Sequence, residues 1–369
     1  MFNKILVFCS CWLLAFSCVA PDTGDAPGPV RDSYPVDEVW ICNTLGESVS
    51  VCNAGRFAAA TAPWIANDCF LTGSAPNRIS FFAGQGWIVD SYGNSLTRFS
   101  PDTAGRSGSI ALGTGHNPWE AVCFTAGDGR DYALVTAFLS DRLLVVDLAA
   151  ATLVREIPLL PPGGAGYRAR PEGIAAMGAR AYITCTGWDF SAGTFREGFL
   201  AVLDLTGDDP ATWTNLSYYQ TATNPQAVLP VPARAEVHIL ATGRNGENGG
   251  LVQVFATNTM ILVTNIPCGG SPHRFAAAAD GRTWLTGGNA LLRYNRLSLA
   301  LDHGSGAPLY QGTADTWLSA VAFATNAGRL YLLDFARDRL LELDPDTGTV
   351  LAETATGDGP VDLVCRRQY

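Results

Sequence analysis

The clearest pattern of apolar and polar positions lies near the C-terminal end of the chain. Two apolar runs, at residues 330–333 and 340–343, flank a polar break, and the segment 344–348 (Asp-Pro-Asp-Thr-Gly) follows them. Short apolar runs bounded by Pro, Asp and Gly are typical of β-strands joined by tight turns. This segment is therefore predicted to form a strand, a turn, a second strand and a second turn.

The same unit recurs along most of the sequence at a spacing of roughly 45 residues, the length of one propeller blade. Its first strand has seven copies, centred on Trp40, Trp87, Ala133, Tyr182, His238, Trp284 and Tyr331. In six repeats a proline marks the start of a further apolar strand, and the repeat at Trp317 lacks it; the prolines are Pro76, Pro118, Pro171, Pro225, Pro272 and Pro360. Four short strands per repeat predict an all-β fold, a seven-bladed β-propeller of four-stranded blades at residues 37–369. We expect the C-terminal strand to close the ring by joining the N-terminal blade.

Two segments resemble a known family, the bacterial YVTN-repeat β-propellers that include the YncE-like proteins. They are residues 39–51 (Val-Trp-Ile-Cys-Asn-Thr-Leu-Gly-Glu-Ser-Val-Ser-Val) and residues 73–79 (Gly-Ser-Ala-Pro-Asn-Arg-Ile). The resemblance extends over roughly residues 37 to 369 and departs from the family pattern at Ala133 and His238, which replace the usual aromatic residue. It implies the fold and no single function, because the family is a scaffold with many uses.

The first 36 residues differ from the repeats. Residues 1–17 carry Lys4 and then an apolar stretch that is typical of a signal peptide and too short to span a bilayer. Residues 14–18 (Leu-Ala-Phe-Ser-Cys) resemble a bacterial lipobox, so we expect acylation of Cys18, a flexible tether at residues 18–36 and an exported protein anchored to the cell envelope through Cys18 alone. The alternative is plain secretion after cleavage behind Ala20.

Composition is consistent with a globular domain on a tether. Hydrophobic residues make up 47% of the chain and charged residues 16%, and the formal net charge is −10 at pH 7. An acidic chain without a basic stripe disfavours binding to nucleic acid and to anionic lipid headgroups.

Cysteines concentrate in the blade that closes the ring. Cys42, Cys52, Cys69 and Cys365 are predicted to lie in four successive strands of that blade. In an oxidising compartment they form disulfides, or else they are small buried apolar residues, and the sequence leaves both readings open. Cys123, Cys185 and Cys268 belong to other blades and are expected to be buried thiols.

Signals for catalysis are few. The chain has four histidines, and it lacks the HExxH, Walker, GxSxG and paired-cysteine zinc patterns. The acidic turn at residues 344–348 matches a structural turn better than a calcium loop. We therefore expect no cofactor and no tightly bound divalent metal.

The polar residues at the starts of the inner strands are expected to converge on one mouth of the central channel. They are Asn77, Arg78, Trp119, Glu120, Glu172, Gln226, His273, Arg274 and Asp362. Arg78 and Arg274 interrupt the acidic residues and are expected to pair with Glu120 or Glu172, in competition with any metal ion.

Three longer loops, at residues 163–170, 187–197 and 244–249, are expected near the same mouth. They carry aromatic and arginine residues beyond what turns require: Tyr167, Arg168, Arg170, Trp188, Phe190, Phe195 and Arg244. Loops on a rigid scaffold are the usual place for binding residues.

These features favour a non-catalytic module that binds a small-molecule ligand or a protein partner at the cell envelope. The alternative is a propeller hydrolase or lyase resembling lactonases, because related propellers hold a divalent metal with carboxylates, His and Asn at the channel mouth. Asn77, Glu120, Glu172 and His273 are the residues that such an enzyme would use in this chain.

Overall fold

Seven antiparallel sheets arranged as a propeller make up the described part of the chain in the computed structural model. The structure describes residues 37–54, 65–163, 166–207, 209–244 and 247–367. Within these ranges the helical segments are short 3-10 turns at Pro210–Thr212, Pro232–Arg234 and Phe335–Arg337. None of the described helices has the length and apolar character needed to cross a membrane. The predicted signal peptide, Cys18 and the tether lie outside the described residues.

Each blade contains four strands, and the strands are numbered β1 to β31 along the sequence. Blade 2 consists of β4 (Pro76–Phe82), β5 (Gln85–Asp90), β6 (Ser95–Ser100) and β7 (Gly105–Ala111). Blade 3 consists of β8 (Pro118–Thr125), β9 (Asp131–Ala137), β10 (Arg142–Asp147) and β11 (Thr152–Pro158). Blade 4 consists of β12 (Pro171–Met177), β13 (Arg180–Cys185), β16 (Gly198–Asp204) and β17 (Leu216–Thr221). A separate hairpin in the fourth blade consists of β14 (Trp188–Asp189) and β15 (Thr194–Phe195).

Blades 5 to 7 follow the same plan, and blade 6 carries one extra short strand. Blade 5 consists of β18 (Pro225–Val231), β19 (Glu236–Ala241), β20 (Leu251–Ala256) and β21 (Leu262–Pro267). Blade 6 consists of β22 (Arg274–Ala277), β23 (Arg282–Gly287), β24 (Ala290–Asn295) and β25 (Leu301–His303), and its extra strand is β26 (Tyr310–Gln311). Blade 7 consists of β27 (Leu318–Ala324), β28 (Arg329–Asp334), β29 (Arg339–Leu343) and β30 (Val350–Ala355).

Blade 1 unites the two ends of the described chain. Its strands are β31 (Pro360–Arg367), β1 (Asp37–Asn43), β2 (Ser48–Asn53) and β3 (Ile65–Leu71), with β31 innermost. β31 pairs with β1 from Asp37 opposite Arg367 to Asn43 opposite Pro360, and Arg366 lies 3.3 Å from the Glu38 carboxylate. The prediction that the C-terminal strand closes the ring is confirmed.

The core lies between neighbouring blades, because the alternating side chains of each strand are buried on both faces of the sheet. On β9, Tyr132 and Leu134 pack into the cluster shared with blade 4, whereas Ala133 and Val135 pack into the cluster shared with blade 2. A period of two with apolar residues on both faces gives the short continuous apolar runs seen in the sequence.

The prolines at the starts of inner strands coincide with irregularities in the pairing register. The register shifts between Pro76 and Arg78, and corresponding shifts follow Pro118, Pro171 and Pro225. A bulge re-aims the side chains beside it. The residues directly after these prolines are thereby turned away from the regular alternation of the blade.

The cysteines of blade 1 lie in four successive strands, as predicted, but the structure contains them as free thiols. Val39 on β1 pairs with Cys52 on β2 and with Cys365 on β31, so the strand β1 lies between the two cysteines. Two strand spacings amount to about 9 to 10 Å, beyond the reach of a disulfide. Cys42 and Cys69 pack on the opposite face and are likewise separated by β2. Of the two readings that the sequence left open, this geometry favours small buried thiols, and burial raises the pKa of all four.

Candidate functional site

The polar residues predicted at the channel mouth lie on the inner strands, one blade after another. Asn77 and Arg78 are on β4, Trp119 and Glu120 on β8, Glu172 on β12, Gln226 on β18, Arg274 on β22 and Asp362 on β31, while His273 directly precedes β22. Five of them have ionisable side chains that influence one another electrostatically. This mouth cluster consists of Arg78, Glu120, Glu172, Arg274 and Asp362.

Arg78 is the more deeply buried of the two mouth arginines, with 6% of its surface exposed. Its Nε lies 3.6 Å from Oε2 of Glu120, and its Nη1 donates to the Asn77 carbonyl at 3.0 Å. Its Nη2 is buried and has no hydrogen-bond partner within the described part of the chain. The expected pairing of Arg78 with Glu120 is present, but it uses only part of the guanidinium.

Within the described residues Arg274 has even fewer hydrogen bonds and ion pairs than Arg78. Its Nη1 donates to the His273 carbonyl at 2.8 Å, and its Nε is buried without a partner among the described residues. In that part of the chain it forms no ion pair with a carboxylate at contact distance, so the expected pairing with Glu120 or Glu172 is absent. Burial, followed by the charge of Arg78, lowers the pKa of Arg274 to about 10.

The mouth carboxyl groups hold their protons more tightly than exposed ones. Burial raises the pKa of Glu172 to about 8, although Arg274 and Arg78 oppose the shift. Burial also raises the pKa of Glu120 and of Asp362, against the same two arginines. Asp362 nevertheless accepts a hydrogen bond from the backbone N–H of Ile79 at 3.0 Å. At neutral pH Glu172 is therefore mostly a neutral carboxylic acid that can donate a hydrogen bond.

His273 contributes no charge to the mouth. Burial, with Arg274 as the next cause, lowers its pKa to about 3. Its Nε2 contacts the carbonyl of Ser319 at 3.1 Å, and a neutral imidazole can donate that bond. Among the described residues there is no group of three or more His, Cys, Asp or Glu side chains placed to hold a metal ion.

A set of hydroxyl groups fixes the inner strands against one another, and sequence reasoning missed it. Each of these hydroxyls donates to a backbone carbonyl at the start of another inner strand: Ser91 to Pro118 at 2.6 Å, Thr136 to Glu172 at 2.7 Å, Thr242 to Pro272 at 2.8 Å and Ser319 to Pro360 at 2.7 Å. For Ser91, Thr136 and Thr242 the available signal was a Ser or Thr near the end of a blade's second strand, whereas Ser319 lies at the start of the inner strand β27.

A row of aromatic rings extends from the mouth to the hairpin of blade 4. Ring centroids are separated by 5.4 Å from Trp119 to Phe138, by 6.3 Å from Phe138 to Phe190 and by 6.0 Å from Phe190 to Trp188. Phe195 supports Trp188 from behind at 4.7 Å. We call Trp119, Phe138, Phe190 and Trp188 the aromatic wall. Phe138 was missed in the sequence because it lies in an ordinary short turn of blade 3.

The remaining loop residues are dispersed. Arg168 lies 3.3 Å from the Asp141 carboxylate, and the Tyr167 hydroxyl donates to the Glu197 carbonyl at 2.8 Å. The Gln226 amide donates to Asn224 at 3.2 Å. Arg244 is exposed, and no contact joins it to the aromatic wall in the described residues. The structure thus brings together Arg170, Trp188, Phe190 and Phe195, and leaves Arg244 apart from them.

No protein-family model matches the sequence, and a comparison with curated proteins finds no match. Solved structures do match. Hydrazine synthase from Kuenenia stuttgartiensis is similar with a TM-score of 0.60 and 16% identity over 79% of this chain and 95% of that one.

Two further solved structures have a TM-score of 0.62. A functionally unknown protein from Desulfotomaculum acetoxidans is 12% identical over 89% of this chain and 98% of its own, and a quinoprotein alcohol dehydrogenase-like protein from Bacteroides thetaiotaomicron is 13% identical over 90% and 79%. Identities this low show a shared fold alone. The chain is therefore a seven-bladed β-propeller whose function must be argued from its own mouth residues.

Proposed function

We propose that this protein is a non-catalytic binding module, a YncE-like YVTN-repeat propeller that is exported and anchored to the cell envelope through acylated Cys18. The observation that carries the binding role is the continuity of the aromatic wall with the mouth cluster. Asn77 donates to the Trp119 backbone carbonyl at 2.8 Å, so the first residue of the wall is joined to the residue that directly precedes Arg78.

Such a surface combines the two elements of a ligand site, apolar rings and a few convergent polar groups. Phe190 is 49% exposed, which leaves its ring available to a ligand. The buried guanidinium nitrogens of Arg78 and Arg274 still lack partners within the described residues. A buried donor that is left unpaired costs free energy, and a bound ligand can recover it.

A second candidate function is a hydrolase or lyase, and one observation favours it. Glu172 has a pKa of about 8 and lies in the mouth, which are the properties of a general acid or base. In that case Glu172 transfers a proton to or from a substrate held by the two arginines.

A thermal-stability screen of the full-length protein against small molecules tests the binding role. Ligands of the site are expected to raise the Tm of the wild type and to lose most of this effect in Phe190→Ala. Tyr92→Ala is the matched control, because Tyr92 is equally exposed at 49% and follows the second strand of blade 2. Equal ligand effects in both variants count against the site. Turnover of an ester or lactone panel that is lost in Glu172→Gln supports the enzyme instead.

A further inference from the structure

The two mouth arginines are buried cations with unused hydrogen-bonding capacity. Arg78 Nη2 and Arg274 Nε are both buried without a partner in the described part of the chain. Native proteins rarely leave buried donors unpaired, and such a group requires an explanation. Guanidinium N–H groups are best satisfied by the two oxygens of an oxyanion.

The carboxyl groups of the described residues do not supply that oxyanion. Asp362 is engaged by the backbone N–H of Ile79, and Glu120 approaches only Nε of Arg78, at 3.6 Å. Glu172 interacts electrostatically with both arginines, but it is mostly protonated at neutral pH because burial raises its pKa to about 8. The mouth therefore keeps two guanidinium groups whose hydrogen-bonding capacity is only partly used.

We propose that the channel mouth binds a small organic monocarboxylate. This inference rests on the proposed binding function and names its ligand class. The carboxylate accepts hydrogen bonds from the free N–H groups of Arg78 and Arg274, and the apolar body of the ligand lies against the aromatic wall at Trp119 and Phe138.

A singly charged carboxylate fits this mouth better than a phosphate monoester. Glu120 and Asp362 lie beside the arginines, and in its carboxylate form each raises the pKa of Arg274. A dianion would be repelled by these carboxylates more strongly than a monoanion. The planar fork of a guanidinium also matches a carboxylate with two parallel hydrogen bonds.

Binding is expected to depend on the protonation of Glu172. The groups that face it are Arg274 on β22, Arg78 on β4 and Glu120 on β8. Two further groups of the mouth are Asp362 on β31, whose pKa is raised by burial, and His273, which is neutral because its pKa is about 3. A bound anion favours protonated Glu172, so affinity should fall as pH rises above about 8, by at most about tenfold per pH unit for one proton.

Isothermal titration calorimetry of the full-length protein with acetate, benzoate and indole-3-acetate tests this proposal. Benzyl alcohol is the uncharged control for benzoate, and phenyl phosphate is the dianionic one. We expect the wild type to bind benzoate more tightly than either control compound. We expect Arg274→Gln and Arg78→Gln to bind benzoate at least about tenfold more weakly than the wild type, since each variant loses a charge-assisted hydrogen bond. Arg274→Lys retains the charge without the fork and separates the loss of charge from the loss of the two parallel hydrogen bonds.

Arg282→Gln is the control variant, because Arg282 pairs with Asp280 and Asp346 away from the mouth cluster. Its affinity for benzoate should equal that of the wild type, and Glu172→Gln should abolish the loss of affinity above about pH 8. Absence of binding by all three carboxylates, equal binding of benzyl alcohol, or tighter binding of phenyl phosphate overturns the proposal. If another ligand still acts through Phe190 in the thermal screen, the binding function survives and only the ligand class is wrong.

Discussion

The guanidinium of Arg170 lies 4.8 Å from the centroid of the Phe190 ring and also 5.6 Å from that of Phe138. Its Nη1 donates to the carbonyls of Phe138 at 3.1 Å and Leu139 at 2.9 Å. Arg170 therefore attaches the hairpin of blade 4 to the turn of blade 3 by hydrogen bonds and cation–π contacts. Arg170 thus contacts both rings, Phe138 and Phe190, at which the aromatic wall passes from blade 3 to blade 4.

Replacing Arg170 by Gln is expected to loosen the hairpin at Trp188–Phe195. The loss of two charged hydrogen bonds and the ring contacts should lower the free energy of unfolding by about 2 to 4 kcal/mol. Hydrogen exchange should accelerate in residues 186–197 more than elsewhere. Arg168→Gln is the matched control, since the Arg168 side chain is 64% exposed and its ion pair with Asp141 is worth about 1 kcal/mol or less. Equal exchange in both variants contradicts the role given to Arg170.

Removal of the chain from Pro360 onward is expected to open the ring. The deletion removes β31, exposes the paired edge of β1 and takes away the buried side chains of Val361 and Leu363. Their burial alone contributes about 3 to 6 kcal/mol. An unpaired edge strand also promotes association with other chains. Size-exclusion chromatography and thermal melting measure both effects.

Deletion of residues 368–369 alone is the control for this truncation, because it leaves every residue of β31 in place. The protein that lacks only these two residues should remain monomeric with an unchanged Tm. If the chain that ends before Pro360 behaves in the same way, blade 1 does not depend on β31.

The stability of the protein should fall as pH rises from about 6.5 to about 8, above the range in which the lowered pKa values of His238 and His273 act in the opposite direction. The pKa of Glu172 is raised by burial to about 8, so the folded state binds a proton that the unfolded chain releases above its ordinary pKa of 4.5. The contribution of the protonated carboxyl is complete below that ordinary pKa and is lost as pH rises through about 8. Thermal melting across this range measures the slope.

Glu172→Gln should flatten the upper part of that pH profile. Asp90, whose pKa is raised by burial to about 6, contributes in the same direction at lower pH, and this part should persist in the variant. Glu353→Gln removes an exposed carboxylate of the ion pair with Arg339 and serves as the control. An unchanged slope above about pH 6 in Glu172→Gln shows that Glu172 is already ionised in the folded protein.

Cys18→Ala is expected to release the protein from the membrane to the soluble exported fraction. An acyl chain contributes about 0.8 kcal/mol per buried methylene, and no other membrane attachment is proposed for this chain. Fractionation and mass spectrometry of the N-terminal peptide measure the outcome. Cys11→Ala lies in the predicted signal peptide and should leave anchoring unchanged. Continued membrane association of Cys18→Ala, with no lipid on the wild-type peptide, contradicts the anchor.

The sequence by itself determined the architecture. Apolar runs of period two, turn residues and recurring prolines are local signals, and they predicted seven four-stranded blades and closure of blade 1 by its C-terminal strand. They also predicted most of the residues that lie at the starts of the inner strands, because position within the repeat decides the strand to which a residue belongs. The signal peptide and Cys18 remain predictions from the same kind of local pattern.

Only the tertiary structure decided which side chains meet. Arg78 reaches Glu120, but Arg274 finds no carboxylate at contact distance among the described residues, and Phe138 joins Trp119 to Phe190 across two blades. These relationships depend on curvature, bulges and side-chain reach between strands far apart in sequence. The cysteines of blade 1 illustrate the same limit: the repeat predicted their strands, whereas the register placed an intervening strand between Cys52 and Cys365.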